Sequence, residues 1–154
     1  PVKLVLNAER VGTLWTQDLI ERVKAGSAQI VDVRTPKEYA GEDIRAIRGG
    51  HVAGAVSIPY ETNWVDPATP AKLASRQVST KDGMSLKPAE QLKAQYGKLD
   101  PAKLPAADSV YVICQSGGRS ARATRALVDA GIDAHNVTGG IIAWAEARLP
   151  ADFS

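Results

Sequence analysis

The sequence predicts an α/β domain: a central, mostly parallel sheet with helices on both faces. Three observations carry that expectation. Two short uncharged runs, Ile30 to Val33 with the exception of Asp32 and Val110 to Ile113, have the composition of strands buried on both faces. Segments with helical spacing lie between and after them, so strand and helix alternate along the chain. A length of 154 residues with 44% hydrophobic composition suffices for one core and would crowd two, so a single domain over 1–154 is expected.

From the N-terminus, Leu19, Ile20 and Val23 mark a helix over roughly Thr16 to Ala25, ended at Gly26. After the strand Ile30 to Val33, Thr35 has the place of an N-cap, Pro36 of the first helical residue, and Glu38 of the acid that completes a capping box. Asp32 and Arg34 therefore stand at a strand end. In "GGHVAGAVSIPY" glycines flank a short apolar strand, Ala55 to Ile58, closed by Pro59. Residues 61–107 form a long polar excursion with prolines at 67, 70, 88, 101 and 105. Inside it "KPAEQLKAQYGKL" has helical spacing at Leu92, Tyr96 and Leu99, and Thr62 to Met84 reads as irregular surface. The strand Val110 to Ile113 stops at Cys114, an Ala- and Arg-rich helix runs to Gly131, and a short strand and a last helix follow. Ligands of parallel sheets gather at the carboxyl ends of strands, which places Arg34 and Cys114 on one edge, lining a single crevice.

Composition excludes several classes of function. The net charge is only +2 and the basic residues are dispersed, apart from Arg119, Arg122 and Arg125, so a nucleic-acid binder is not expected. A single cysteine allows no internal disulfide and no cysteine-rich zinc site, and His51 and His135 form no metal-binding motif. No run is long and apolar enough to span a bilayer, and the first residues lack the apolar core of a signal peptide, so a soluble protein is expected. The chain begins at Pro1, which suggests that a leader or an upstream domain has been removed. Cytoplasm and periplasm both stay open.

The chemistry gathers at "VICQSGGRS". A cysteine between a buried strand and a helix start faces the helix's N-terminal partial charge, and the amides of the following residues can curl inward around one centre. Such a cradle favours an anion and would hold Cys114 as the nucleophilic thiolate. Gly117 and Gly118 permit close backbone approach, Ser116 and Ser120 supply hydroxyl donors, and Arg119 can brace the loop or meet an oxyanion through two parallel bonds. Gln115 completes the loop. The glycines are not a nucleotide-binding P-loop, because no Lys-Ser/Thr pair follows them at the required distance.

Four segments, "VDVRTPKEY", "GGHVAGAVSIP", "VICQSGGRS" and "VTGGIIAWAEARLP", occur in the order found in the rhodanese family, which the chain resembles over most of its length. The resemblance implies a sulfurtransferase whose six-residue loop runs from Cys114 to Arg119. The related dual-specificity phosphatases and arsenate reductases have one residue more between Cys and Arg, a wider cradle suited to a tetrahedral oxyanion. It further implies that Cys114 takes the sulfane sulfur of a small anionic donor such as thiosulfate, carries it as a persulfide without any cofactor, and passes it to cyanide, a thiol or a thioredoxin-like protein. Arg34 matches an arginine that reaches the sulfonate of thiosulfate in tandem members. Thiosulfate-preferring members often carry a basic residue at one of the two positions after the cysteine, where this chain has Gln115 and Ser116. Mercaptopyruvate-preferring members have glycine-bounded triplets there, which are also absent.

Each residue also has a plainer reading. Cys114 could be a small core residue, Arg34 a salt-bridge partner of Glu38 or Asp43, and Arg119 a bracket turned toward the sheet. Asp32 is expected to anchor loop backbone, His51 to be a hydrogen-bonded structural residue, and His135 to lie at the surface. Arg122 and Arg125 read as a solvated helix face, with the alternative that they guide an anionic donor or an acidic partner. Trp144 is expected to pack the last helix on the sheet, and Trp64 either lines the mouth of the pocket or serves a partner. A binding or carrier module that never turns over thiosulfate by itself is the runner-up to the enzyme.

Overall fold

The computed structural model describes residues 12–25, 29–77, 80, 82–97 and 110–152. Along the chain run β1 (Gly12–Trp15), α1 (Thr16–Lys24), β2 (Gln29–Asp32), α2 (Pro36–Ala40), β3 (His51–Val52) and β4 (Val56–Ser57). A 3-10 turn at Tyr60–Asn63 precedes α3 (Thr69–Ala74) and α4 (Ala89–Tyr96). Then come β5 (Val110–Ile113), α5 (Gly118–Asp129), β6 (Ala134–Thr138), α6 (Gly140–Glu146) and β7 (Ala151–Asp152).

Strands β1, β6, β5, β2 and β4 form one sheet in that order, every neighbouring pair parallel. Alternation of side chains along each strand sorts the core to two faces. On one face Val31, Val33, Val110, Val112 and Cys114 pack against Tyr96 of α4 and Ala123 and Leu127 of α5. On the other, Ile30, Tyr111, Ile113 and Val137 pack against Leu19 of α1 and Ile141 and Trp144 of α6. The α/β expectation, a parallel sheet covered on both sides, therefore holds. Trp144 packs α6 as expected, and its indole N–H donates to the Pro150 carbonyl at 2.7 Å.

The structure corrects several boundaries. Strand β4 is two residues rather than Ala55 to Ile58, although Ile58 N–H still donates to the Asp32 carbonyl. The stretch Thr62 to Met84 is not wholly irregular, because it holds α3, in which Pro70 occupies the first turn where a missing N–H leaves no bond unmade. Leu99, assigned to the helical spacing of α4, lies outside the described residues. Strand β1 and the small antiparallel pair of β3 with β7 carry too few residues for a pattern and were not expected from the sequence. Polar contacts within the excursion join its first residues to α4. Asn63 Oδ1 accepts from Tyr96 Oη at 3.0 Å and Gln95 Nε2 at 2.8 Å. Burial pushes the Tyr96 hydroxyl pKa up to about 12, so it stays protonated, and a donor, well above neutral pH.

Candidate active site

Residue Cys114 ends the run that begins at Val110, so the same alternation turns its side chain inward toward α5, where it is 1% exposed. The chain then reverses at Gly117, whose φ of 104° is a left-handed value that L side chains rarely adopt. That turn aims the Gly117 N–H at Cys114 Sγ, 3.2 Å away. From the first turn of α5 the Ser120 hydroxyl also reaches Sγ at 3.2 Å and lies 2.6 Å from Asn136 Oδ1 on β6. One hydroxyl proton thus stands between two acceptors, and an anionic sulfur is the stronger of them. Helix α5 has no side-chain cap, and the sulfur stands beside its start, bonded to the N–H of the N-cap Gly117 and to the Ser120 hydroxyl.

The outer side of the loop is held by a second helix. Ile141 N–H donates to the Cys114 carbonyl at 2.8 Å and Ile142 N–H to the Gln115 carbonyl at 3.1 Å. These carbonyls are drawn onto the N-terminus of α6. Two glycines make the approach feasible: Gly139 and Gly140 have φ of 81° and 57°, and a Cβ on Gly140 would collide with the Cys114 carbonyl oxygen and stand 2.6 Å from that of Gln115. By contrast Gly118 is helical and a Cβ there meets open space, so of the two loop glycines only Gly117 is required by backbone conformation.

The arginine that ends the loop is braced. Arg119 donates to both carboxylate oxygens of Glu38, each at 2.6 Å. Glu38 is 1% exposed and also completes the expected capping box of α2, receiving the Thr35 N–H at 3.1 Å while Thr35 Oγ1 accepts the Glu38 N–H at 3.2 Å. Burial raises the Glu38 pKa, but the bonds from Arg119 and Thr35 outweigh it and hold the group at about 2. Arg119 therefore brackets α2 to α5 rather than facing the sheet.

The Arg34 guanidinium is engaged as well, but not by the partners expected. It meets Asp32 through Nε, 2.9 Å from both carboxylate oxygens, and Nη2 at 2.6 Å, and donates from Nη2 to the Gly50 carbonyl at 2.8 Å. Asp32 wins because residues two apart on an extended chain share a face, whereas Glu38 is held by Arg119 and Asp43 by Arg45. Asp32 also accepts the Arg34 N–H at 3.0 Å, the backbone-anchoring contact expected of it. Asp32 and Arg34 fall in line with Ile30 toward the α6 face, while Cys114 belongs to the α5 face. They share an end of the sheet without sharing a face.

At the rim, Gln115 Nε2 donates to the Arg45 carbonyl at 2.9 Å, tying the loop to the segment after α2, and Ser116 is exposed. His51 stacks on Tyr39 at 3.6 Å and is bonded to its carbonyl at 3.0 Å, a structural histidine as expected. His135 is half-buried beside Tyr111 and Asp133 rather than at the surface. Asn136, Glu38 as a brace, and Gly140 are the neighbours of the loop that motif reading missed.

This arrangement of strand, cysteine loop and uncapped helix has known relatives. The rhodanese-like domain pattern matches residues 16–147. The chain belongs to the rhodanese-like domain family. Thiosulfate sulfurtransferase 16 of Arabidopsis thaliana is 34% identical over 123 residues, covering 78% of this chain and 76% of that protein. Sulfur carrier protein TtuD of Thermus thermophilus is 32% identical over 117 residues, and the match spans 69% of this chain but 34% of that longer protein. Among solved structures, a rhodanese-like domain protein from Staphylococcus aureus superposes with a TM-score of 0.52 at 26% identity, over 92% of this chain and 99% of that one. Rhodanese membership and the kinship with sulfurtransferases follow from these matches.

Proposed function

We propose that the protein is a thiosulfate-type sulfurtransferase that carries sulfur as a Cys114 persulfide. The observation that carries this reading is the pair of donors, Gly117 N–H and Ser120 hydroxyl, on Cys114 Sγ at the uncapped start of α5. In the first half-reaction the Cys114 thiolate attacks the outer sulfur of thiosulfate, the S–S bond breaks, and its electron pair leaves with sulfite. In the second, cyanide or the thiolate of a small thiol or thioredoxin-like protein attacks the outer persulfide sulfur and Cys114 departs as thiolate. No cofactor enters either step. The cradle donors replace the water that would otherwise solvate the terminal sulfur, and they are in place before the charge arrives.

The cations at the loop itself are already paired, Arg119 with Glu38 and Arg45 with Asp43, and Arg122 stands one turn farther along α5. Attraction of the donor anion therefore falls to the amides of the loop and the first turn of α5, and Arg34 is assigned to the frame rather than to the donor. Gln115 and Ser116 shape the rim, and Gly118 leaves space over the cradle. A second reading, a sulfur carrier that needs a protein to load or unload it, is favoured by the relative named a sulfur carrier.

Intact mass after incubation with thiosulfate tests the reading. The native chain gains the mass of one sulfur atom and loses it to cyanide, while Cys114→Ser gains nothing. Absence of any gain on a free Cys114 thiol overturns thiosulfate as donor. Saturable thiocyanate formation separates the enzyme from the carrier, which loads but turns over no faster than free thiol.

A further inference from the structure

Past the cradle, α5 continues as one wall of a groove. Arg122, Ala123 and Ala126 face Tyr60, Trp64 and Leu86 across a space of about 230 Å³. Residues 119, 122, 123 and 126 recur at helical spacing on one side of α5, so the groove opens one turn beyond the residue that closes the cysteine loop. Its walls are alanine methyls, two aromatic rings, a leucine and Asn63, and the charge at its rim is Arg122. Of the three arginines on α5, Arg119 is bound to Glu38 and Arg125 to Asp129, whereas Arg122 makes no hydrogen bond or ion pair among the described residues and lies near enough to Tyr60 for its charge to act on that hydroxyl.

The apolar surface does not stop at the groove. Trp64 and Leu86 are joined in an antiparallel bridge and Val65 N–H donates to the Ser85 carbonyl at 2.9 Å, which holds two short segments together at the rim. Leu86 is 44% exposed and Val65 52% exposed. A small organic ligand binds where a concave wall covers most of it. Here the apolar area runs out onto an exposed flank, which fits a polypeptide that seats one large side chain and lays its neighbours across the rim. The unpaired guanidinium selects a carboxylate for the residue that follows.

We propose that this groove docks the polypeptide that exchanges sulfur with Cys114, through one aromatic or leucine side chain followed by acidic residues that meet Arg122. The role given to the partner rests on the sulfur-transfer reading above. The docking itself does not.

The probe is a fluorescent, amidated peptide with Phe-Glu-Glu between Gly-Ser flanks, followed by anisotropy against the native chain, Arg122→Glu and Leu86→Asp. Saturable binding is expected, weakened about tenfold when the peptide carries Ala-Glu-Glu or Phe-Lys-Lys and about tenfold in Arg122→Glu, which should prefer Phe-Lys-Lys. Leu86→Asp weakens the peptide likewise, and both variants still take sulfur from thiosulfate. Equal binding of all three peptides overturns the proposal, as does no binding up to about millimolar by a chain that loads sulfur normally. Displacement of the peptide by phenylacetate at equal concentration makes the groove a small-molecule site, and sedimentation as a dimer that Arg122→Glu dissociates makes a second copy its occupant. Either result overturns it. Selective peptide binding by a chain that never loads sulfur keeps the docking and removes the sulfur-transfer reading instead.

Discussion

Among the turns from strand to helix at one end of the sheet, those after β2 and after β5 solve the same problem differently. At α2 the free amides of the helix start are met by protein: Thr35 Oγ1 takes the Glu38 N–H and Glu38 takes the Thr35 N–H. At α5 no side-chain oxygen does so, and beside its start stands a sulfur that accepts from the Gly117 N–H and the Ser120 hydroxyl. The first turn is closed and structural, and the second is left with capacity for a charged guest. The closed turn also steadies the open one, because Glu38 serves both the α2 cap and Arg119.

The sharpest way to break the open turn without touching it is Gly140→Ala. A Cβ there collides with the carbonyls of Cys114 and Gln115, so sulfur loading measured by intact mass should fall about 100-fold or more, with a stability loss above about 4 kcal/mol in urea unfolding. Glu38→Gln comes next. It leaves the half-buried Arg119 cation without its counter-charge, and about 3 kcal/mol of stability should go with slower loading. Its pH dependence is distinctive. Glu38 titrates near 2 in the folded chain against its ordinary 4.5, so the unfolded chain takes up the proton first as pH falls. The contribution of the pair is therefore complete above about 4.5 and is lost progressively toward about 2, a slope that acid unfolding should find flattened in Glu38→Gln.

Smaller effects sharpen the contrast. Gly117→Ala must hold an L residue at a φ of 104° and should cost about 1–3 kcal/mol with a clear loss of loading rate, because the displaced amide is the one on Sγ. Thr35→Ala, the equivalent injury to the closed turn, should cost about 1 kcal/mol in the same unfolding assay and leave loading within about twofold of the native chain. A Thr35→Ala variant as impaired in loading as Gly117→Ala would show that the turns are not separable in this way.

The parts that the sequence made legible are those with local rules. The capping box, the strand before Cys114 and the helix after it depend on residues within a few positions of one another, and each stands where spacing placed it. The contacts that the sequence hid join distant residues. Glu38 and Arg119 are separated by 81 positions, and each already had a satisfying local role, as a cap and as an anion-binding arginine. Asn136 was only a polar residue in a short strand until β6 brought it against Ser120. Arg34 shows a different error, since Glu38 or Asp43, a few positions on, was expected where the nearest carboxylate, Asp32, had the better geometry. Helix α3 escaped notice because Pro70 reads as a breaker unless its place in the first turn is known.

The clamp that α6 places on the Cys114 and Gln115 carbonyls has a consequence for the order of synthesis. The cysteine leaves the ribosome before Gly139, Gly140, Ile141 and Ile142 do. A nascent chain therefore bears its thiol for a time on a loop that the last helix has not yet clamped.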